Sequence, residues 1–207
     1  DGQLLLFYDK DEAPMGDSLH HFDAFAVRYI GAGAAQLIPP ERAPMPRRPT
    51  PQPALPSGLV RLRQEVSWPS VSEVAAMTGG KRADVAAYHR LRDDRKRYSV
   101  RCQFGGHANE LQDGGAFKAA LARCGIERGQ IPRGHPIWKE WKDGGRRAIE
   151  QPWRLVAQLD GSTLSDCFGP RADRFWKYGG DRLYFWARED CIRSRAFDQV
   201  WVTMDID

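Results

Sequence analysis

Gly2–Tyr8 reads GQLLLFY, and residues 180–186 near the other end of the chain read GDRLYFW. Each stretch is followed by a second apolar stretch that opens with Phe-Asp: residues 22–29 read FDAFAVRY and residues 197–204 read FDQVWVTM. Alternate residues of a strand lie on the same face of a sheet. The sequence therefore predicts an α+β fold with duplicated β-sheet units, whose core-facing residues are Leu5, Phe7, Phe25, Val27, Leu183, Phe185, Val200 and Val202.

The two units are predicted to be separated by a helical, basic middle segment. Ser70 and Glu73 have the Ser-x-x-Glu spacing of a capping box, which predicts a short helix that stops at Gly79. Apolar residues at helical spacing predict a second helix over about residues 82–96 and a third helix closed by Gly125. The rest of the ordered chain is predicted to form strands.

The net charge of +4 is concentrated in the middle of the chain. Residues 61–154 contain 19 Lys and Arg against 11 Asp and Glu, a net charge of +8, whereas residues 1–60 and 155–207 each carry −2. The basic run over residues 90–101 could contact a phosphate backbone. Aspartates are interleaved with it and no nucleic-acid-binding motif surrounds it, so the run is expected to be a solvated helical face and nucleic acid is an unlikely partner.

Proline is concentrated in residues 39–56, where eight of eighteen residues are proline. This composition excludes a helix or a central strand and favours an extended path. The segment is predicted to be a linker or a surface loop within a single domain over residues 1–207.

The sequence offers no pattern of a metal site, a cofactor site or a catalytic site. The four cysteines lack a Cys-x-x-Cys pair, the five histidines match no catalytic motif, and the glycine pairs lack the spacing of phosphate-binding loops. No apolar stretch reaches the roughly 18 residues of a membrane span. Reduced cysteines, a cytoplasmic location and the absence of membrane partners, cofactors and metals are therefore expected.

Residues 135–145 read HPIWKEWKDGG and contain two tryptophans three positions apart. Trp138 and Trp141 could pin a helical turn to the core, or they could form a binding surface with the basic residues beside them. The predicted partner-binding residues are Arg133, His135, Trp138, Lys139 and Trp141, together with His107 from the segment 102–112.

The C-terminal unit resembles the YwqG-like family, a domain of unknown function. The resemblance rests on WRLVAQLD at residues 153–160, Trp176, RLYFW at residues 182–186 and FDQVW at residues 197–201. The family's central motif aligns with CQFGGHANELQ at residues 102–112, where Gly106 and Gln112 match the family pattern. Family members carry roughly a third of a domain before the strand equivalent to Gly2–Tyr8, so the domain is expected to be N-terminally incomplete here.

The genes that encode members of this family look like neighbours of genes for polymorphic bacterial toxins. The resemblance therefore implies a non-catalytic immunity protein that neutralises a bacterial toxin by direct binding. The alternative is an enzyme or a small-ligand-binding protein with a site in the cleft between the β repeats, where duplicated sheets commonly leave a pocket. The lack of a paired acid, base or nucleophile motif favours the binding protein.

Overall fold

The computed structural model describes residues 2–9, 14–33, 62–79, 82–95, 102–112, 114–127, 131–139, 149–150, 152–168 and 181–206. The proline-rich segment 39–56, Trp141 and Trp176 lie outside these residues. So do residues 96–101 of the basic run, and Arg90 at its start is exposed.

The described residues form strands and helices of an α+β fold. The strands are β1 (Gly2–Tyr8), β2 (Phe25–Gly31), β3 (Gln103–Phe104), β4 (Trp153–Asp160), β5 (Arg182–Arg188) and β6 (Trp201–Asp205). The helices are α1 (Val71–Met77), α2 (Arg82–Arg95), α3 (Gly115–Arg123), α4 (Gly161–Phe168) and α5 (Glu189–Ser194). Two 3-10 helices, Leu19–Ala24 and Phe197–Gln199, precede β2 and β6.

The strands form two antiparallel sheets. One is the hairpin β1-β2, and the other has the order β3-β4-β5-β6. All of β6 is buried, as is all of β5 except Arg188, so the middle of the larger sheet is covered on both faces. Helix α3 packs against β4, β5 and β6 and supplies part of that cover.

The predicted duplication is visible in the order of elements. Each unit consists of a strand, a helical connector and an antiparallel partner strand: β1 and β2 in the first repeat, β5 and β6 in the second. The Phe-Asp pairs lie in the 3-10 helices before the second strand of each repeat, not inside the strand. We refer to these units as the first repeat (residues 2–31) and the second repeat (residues 182–205).

The predicted core face of β1 is wrong, although the other six predicted core residues are buried. Phe7 is 52% exposed, and Leu5 is only partly buried. The register places Leu6 opposite Val27 and Tyr8 opposite Phe25. Because opposite residues in an antiparallel pair point to the same face, the buried side chains of β2 bring Leu6 and Tyr8 to the core and turn Phe7 outward.

The helix signals that depend on residues close together in the sequence are confirmed. The Ser70 hydroxyl accepts the Glu73 N–H at 3.1 Å and the Glu73 carboxylate accepts the Ser70 N–H, which completes the capping box of α1. Gly125 follows α3 with φ +73°, and the N–H of Ile126 donates to Leu121 O at 3.0 Å, as in a Schellman motif. Helix α4 occupies sequence that was expected to form strands, whereas α5 lies between the two predicted strands of the second unit.

Candidate functional site

One face of the larger sheet is polar although it is buried. Strand register places Arg182 opposite both Asp160 and Asp205, and Tyr184 opposite both Gln158 and Thr203. Polar side chains at alternate positions therefore share a face. The residues of this buried polar face are Gln158, Asp160, Arg182, Tyr184, Thr203 and Asp205.

Two ion pairs hold charges within this face. The Arg182 guanidinium donates from Nε to Asp160 Oδ2 at 2.8 Å, and Lys118 Nζ of α3 donates to Asp205 Oδ1 at 2.7 Å. Burial alone would raise the pKa of Asp160, but hydrogen bonds from Thr163 and Arg182 outweigh it and lower that pKa. The carboxylate of Asp160 is therefore held as a charged acceptor.

The segment 105–112 lies across the buried polar face. Its backbone N–H groups donate to the sheet: Asn109 N to Gln158 Oε1 at 2.8 Å, Leu111 N to Tyr184 Oη at 3.0 Å and Gln112 N to Asp205 Oδ2 at 3.0 Å. The polar side chains of the face thus anchor a loop. These side chains form hydrogen bonds with main-chain groups of the protein itself.

Glu110 joins this loop to the start of α3. Its carboxylate accepts the N–H of Gly115 at 2.6 Å and of Gly114 at 3.2 Å, which are the first residue of the helix and its N-cap. Burial raises the pKa of Glu110 to about 7, with a further increase from Asp205 and Glu150, although the two amide hydrogen bonds oppose it. Glu110 is therefore a carboxyl group that titrates near neutral pH inside the fold.

Replacing Glu110 by Gln is expected to remove a pH dependence of stability. The pKa of Glu110 is raised in the folded protein, so its stabilisation is complete below pH 4.5 and is lost as the pH rises through 7. The loss amounts to at most about 3 kcal/mol of unfolding free energy. Urea unfolding between pH 5 and 8 should show a decline for the wild type and a flatter profile for Glu110→Gln.

The matched control is Glu127→Gln, which removes an exposed carboxylate. This variant should keep the wild-type pH profile. Parallel profiles for the wild type and Glu110→Gln would show that Glu110 is not the titrating group.

His107 lies on the same loop, at its solvent side. Its Nδ1 is 3.1 Å from Glu73 Oε1, and its backbone N–H donates to Ser67 Oγ at 2.8 Å. Burial would raise the pKa of Glu73, but the hydrogen bond with His107 and the capping bonds of Ser70 lower it. His107 thus connects the loop to α1, a contact between residues 34 positions apart that no local sequence signal reveals.

Four of the predicted partner-binding residues lie together on the turn 131–139. The indole Nε1 of Trp138 donates to Pro132 O at 3.0 Å while 36% of the residue stays exposed. Arg133 and Lys139 are exposed beside it, and His135 Nδ1 accepts the N–H of Ile137 at 3.2 Å. We call Arg133, His135, Trp138 and Lys139 the Trp138 surface. Ile137, which is buried, anchors this turn to the core.

Aromatic rings pack against each other at the interface between the two repeats. Phe22 and Phe25 of the first repeat pack on Trp201 of β6, with ring centroids 5.8 and 5.2 Å apart, and Tyr29 packs on Phe197 at 5.8 Å. The indole Nε1 of Trp201 also donates to Gly16 O at 2.7 Å. In this part of the molecule the repeats are packed together directly.

These features define a class of protein: an α+β domain with a repeated hairpin, whose buried polar face anchors a loop. Residues 1–206 match the family described as Domain of unknown function (DUF1963), and the chain belongs to this family. No curated protein and no solved structure matches the chain. None of the helices in the described part of the chain is long and apolar enough to cross a membrane.

Proposed function

We propose that this protein acts by binding a protein partner, without turnover of a substrate. The observation that carries the proposal is the Trp138 surface, where a large aromatic ring is both exposed and fixed by a hydrogen bond to Pro132 O. A ring that is already ordered loses little entropy on binding. Trp and Arg are also the residue types that most often dominate binding energy in interfaces.

The use of polar groups inside the fold supports the same proposal. Asp160, Arg182, Lys118 and Asp205 are bound in two ion pairs, and Gln158, Tyr184 and Asp205 accept N–H groups of the loop 105–112. These groups are committed to internal contacts, so a mechanism that needs one of them to leave its partner would expose an uncompensated buried charge.

The more specific proposal is that the protein is a YwqG-like immunity protein that neutralises a bacterial toxin in a one-to-one complex. The resemblance of residues 153–160 and 197–201 to the YwqG-like pattern supports it. The net charge of +8 over residues 61–154, which include the Trp138 surface, favours a partner with an acidic face.

Trp138→Ala is expected to weaken the complex by about 2 kcal/mol, or roughly thirtyfold in Kd, because it removes an exposed anchor of the kind that dominates interfaces. Isothermal titration calorimetry of the purified protein with its partner measures the change. Phe7→Ala is the matched control, since Phe7 is an exposed aromatic residue on β1 and lies outside the Trp138 surface. Equal losses for the two variants would exclude a specific role of Trp138.

The immunity proposal is tested by co-expression of the protein with the adjacent toxin gene. The immunity proposal expects rescue of growth and a one-to-one complex on gel filtration. If growth is not rescued and no complex is found, the immunity proposal is wrong.

The alternative, a ligand site in the cleft between the β repeats, has less support in the described residues. Phe22 and Phe25 pack on Trp201 where the two repeats meet, and this packing favours the binding protein over a cleft at that place. A small-molecule site there would need these rings to separate.

A further inference from the structure

A cavity of about 330 Å³ opens at the end of the first repeat. It lies where β1 ends and the 3-10 helix before β2 begins. Among the residues that the structure describes, its lining includes two aspartates, two histidines and two small apolar residues: Asp9, Pro14, His20, His21, Asp23 and Ala24. The volume is at the lower end of the range for ligand pockets, about 300–1,000 Å³, so it suits one side chain or one small molecule.

The wall of this pocket is fixed by contacts with the second repeat. Met15 O accepts the N–H of Met204 at 3.1 Å, and Gly16 O accepts the indole N–H of Trp201 at 2.7 Å. Gly16 has φ +73°, and a Cβ at this position would lie 1.7 Å from Val202 O. Met15 and Gly16, which lie in the connector between β1 and β2, are therefore held tightly against β6.

Gly16 also orients one of the two histidines. His21 Nδ1 accepts the N–H of Gly16 at 3.2 Å and lies 3.4 Å from Asp17 Oδ1. The Ser18 hydroxyl accepts the N–H of His20 and caps the 3-10 helix that carries both histidines and Asp23. The His21 ring and the backbone of the 3-10 helix are thus positioned before any ligand arrives, which lowers the entropic cost of binding.

The charge of the connector selects the kind of ligand. The described residues of this connector, residue 9 and residues 14–23, contain three aspartates and no lysine or arginine. Two of these carboxylates, Asp9 and Asp23, line the pocket. A concave surface lined by one sign of charge concentrates ions of the opposite sign. Carboxylates also form their strongest hydrogen bonds with charged donors such as guanidinium.

We propose that this pocket receives a cationic side chain, an arginine or a lysine, from the protein partner. The inference rests on the proposed binding function and adds to it a second contact point of opposite charge to the Trp138 surface. Asp23 is the principal acceptor, and Asp9 faces the same space.

The proposal is tested on the isolated protein, so its outcome does not depend on finding the partner. Butylguanidinium is titrated into the protein, and the imidazole signals of His20 and His21 are followed by NMR, with n-butanol as the neutral probe. Butylguanidinium is expected to cause saturable shifts of these signals, whereas n-butanol is not. Asp23→Asn should weaken binding about fivefold, the size of one partly exposed charged contact.

The second repeat offers a matched control variant. Asp198 occupies the position equivalent to Asp23 in the Phe-Asp pair, is exposed and lies outside the pocket lining. Asp198→Asn should leave the titration unchanged. No saturable shift, equal shifts with n-butanol, or an unchanged affinity in Asp23→Asn would each overturn the proposal.

A second arm separates a partner's side chain from a free small cation. The peptide acetyl-Gly-Arg-Gly-amide should cause the same shifts as butylguanidinium and should show the same sensitivity to Asp23→Asn. If the free cation binds and the peptide does not, the pocket serves a small amine or guanidine, and the assignment to a partner's side chain is wrong.

Discussion

Phe185→Ala is expected to lower the free energy of unfolding by about 4 kcal/mol, whereas Phe7→Ala should change it by less than about 1 kcal/mol. The two phenylalanines occupy equivalent positions in the two repeats, in LLLFY and RLYFW. Phe185 is 1% exposed within the larger sheet, so its removal leaves a cavity in a packed core. Phe7 faces solvent.

Urea unfolding followed by tryptophan fluorescence measures both changes. Phe7 and Phe185 are the same residue type in equivalent strands, so β propensity and unfolded-state effects largely cancel between the two variants. Similar losses for the two variants would mean that Phe7 is also buried. The register of β1 against β2 would then have to be shifted by one residue.

Lys118→Met is expected to lower the free energy of unfolding by about 3–5 kcal/mol, because it leaves the Asp205 carboxylate buried without its ammonium partner. Asp205 is fully buried, and it also accepts the N–H of Gln112. Methionine has a side chain of similar length, so the decrease in the free energy of unfolding measures the effect of removing the charge. Chemical denaturation at pH 7 measures it.

Arg154→Met is the control for this variant. It breaks the pair of Arg154 with Glu189, which is also short, at 2.6 Å, but lies at the surface. Exposed pairs contribute roughly 0–1 kcal/mol, so the control should be nearly neutral. The double variant Lys118→Met with Asp205→Leu should recover part of the loss, because an apolar pair can replace a buried ion pair. A Lys118→Met loss no greater than that of Arg154→Met would show that the Lys118 pair does not stabilise the fold.

Local signals in the sequence predicted local structure well. The capping box of Ser70 and Glu73 and the glycine that closes α3 depend on neighbours within a few positions, and both are present. The repeated strands were also predictable from their alternation. In β5, polar Arg182 and Tyr184 alternate with Leu183 and Phe185, which signals a polar face and an apolar face.

Long-range contacts were not predictable in the same way. Alternation shows that β1 has two faces, but the partner strand decides which face is buried, and that choice depends on pairing with Val27 and Phe25. The contact of His107 with Glu73 and the ion pair of Lys118 with Asp205 join residues 34 and 87 positions apart. The sequence placed His107 in the segment 102–112 and predicted it as a partner-binding residue, but its contact with Glu73 of α1 could not be predicted.

The contact of the first repeat's connector with β6 has a consequence for self-association. Met15 O accepts the N–H of Met204, so the side of β6 that faces away from β5 is partly covered by the protein's own chain. An uncovered strand edge is a template on which another copy can add a strand. Gly16, whose missing Cβ allows the close approach to Val202 O, therefore lets the protein's own chain cover an edge on which another copy could otherwise add a strand.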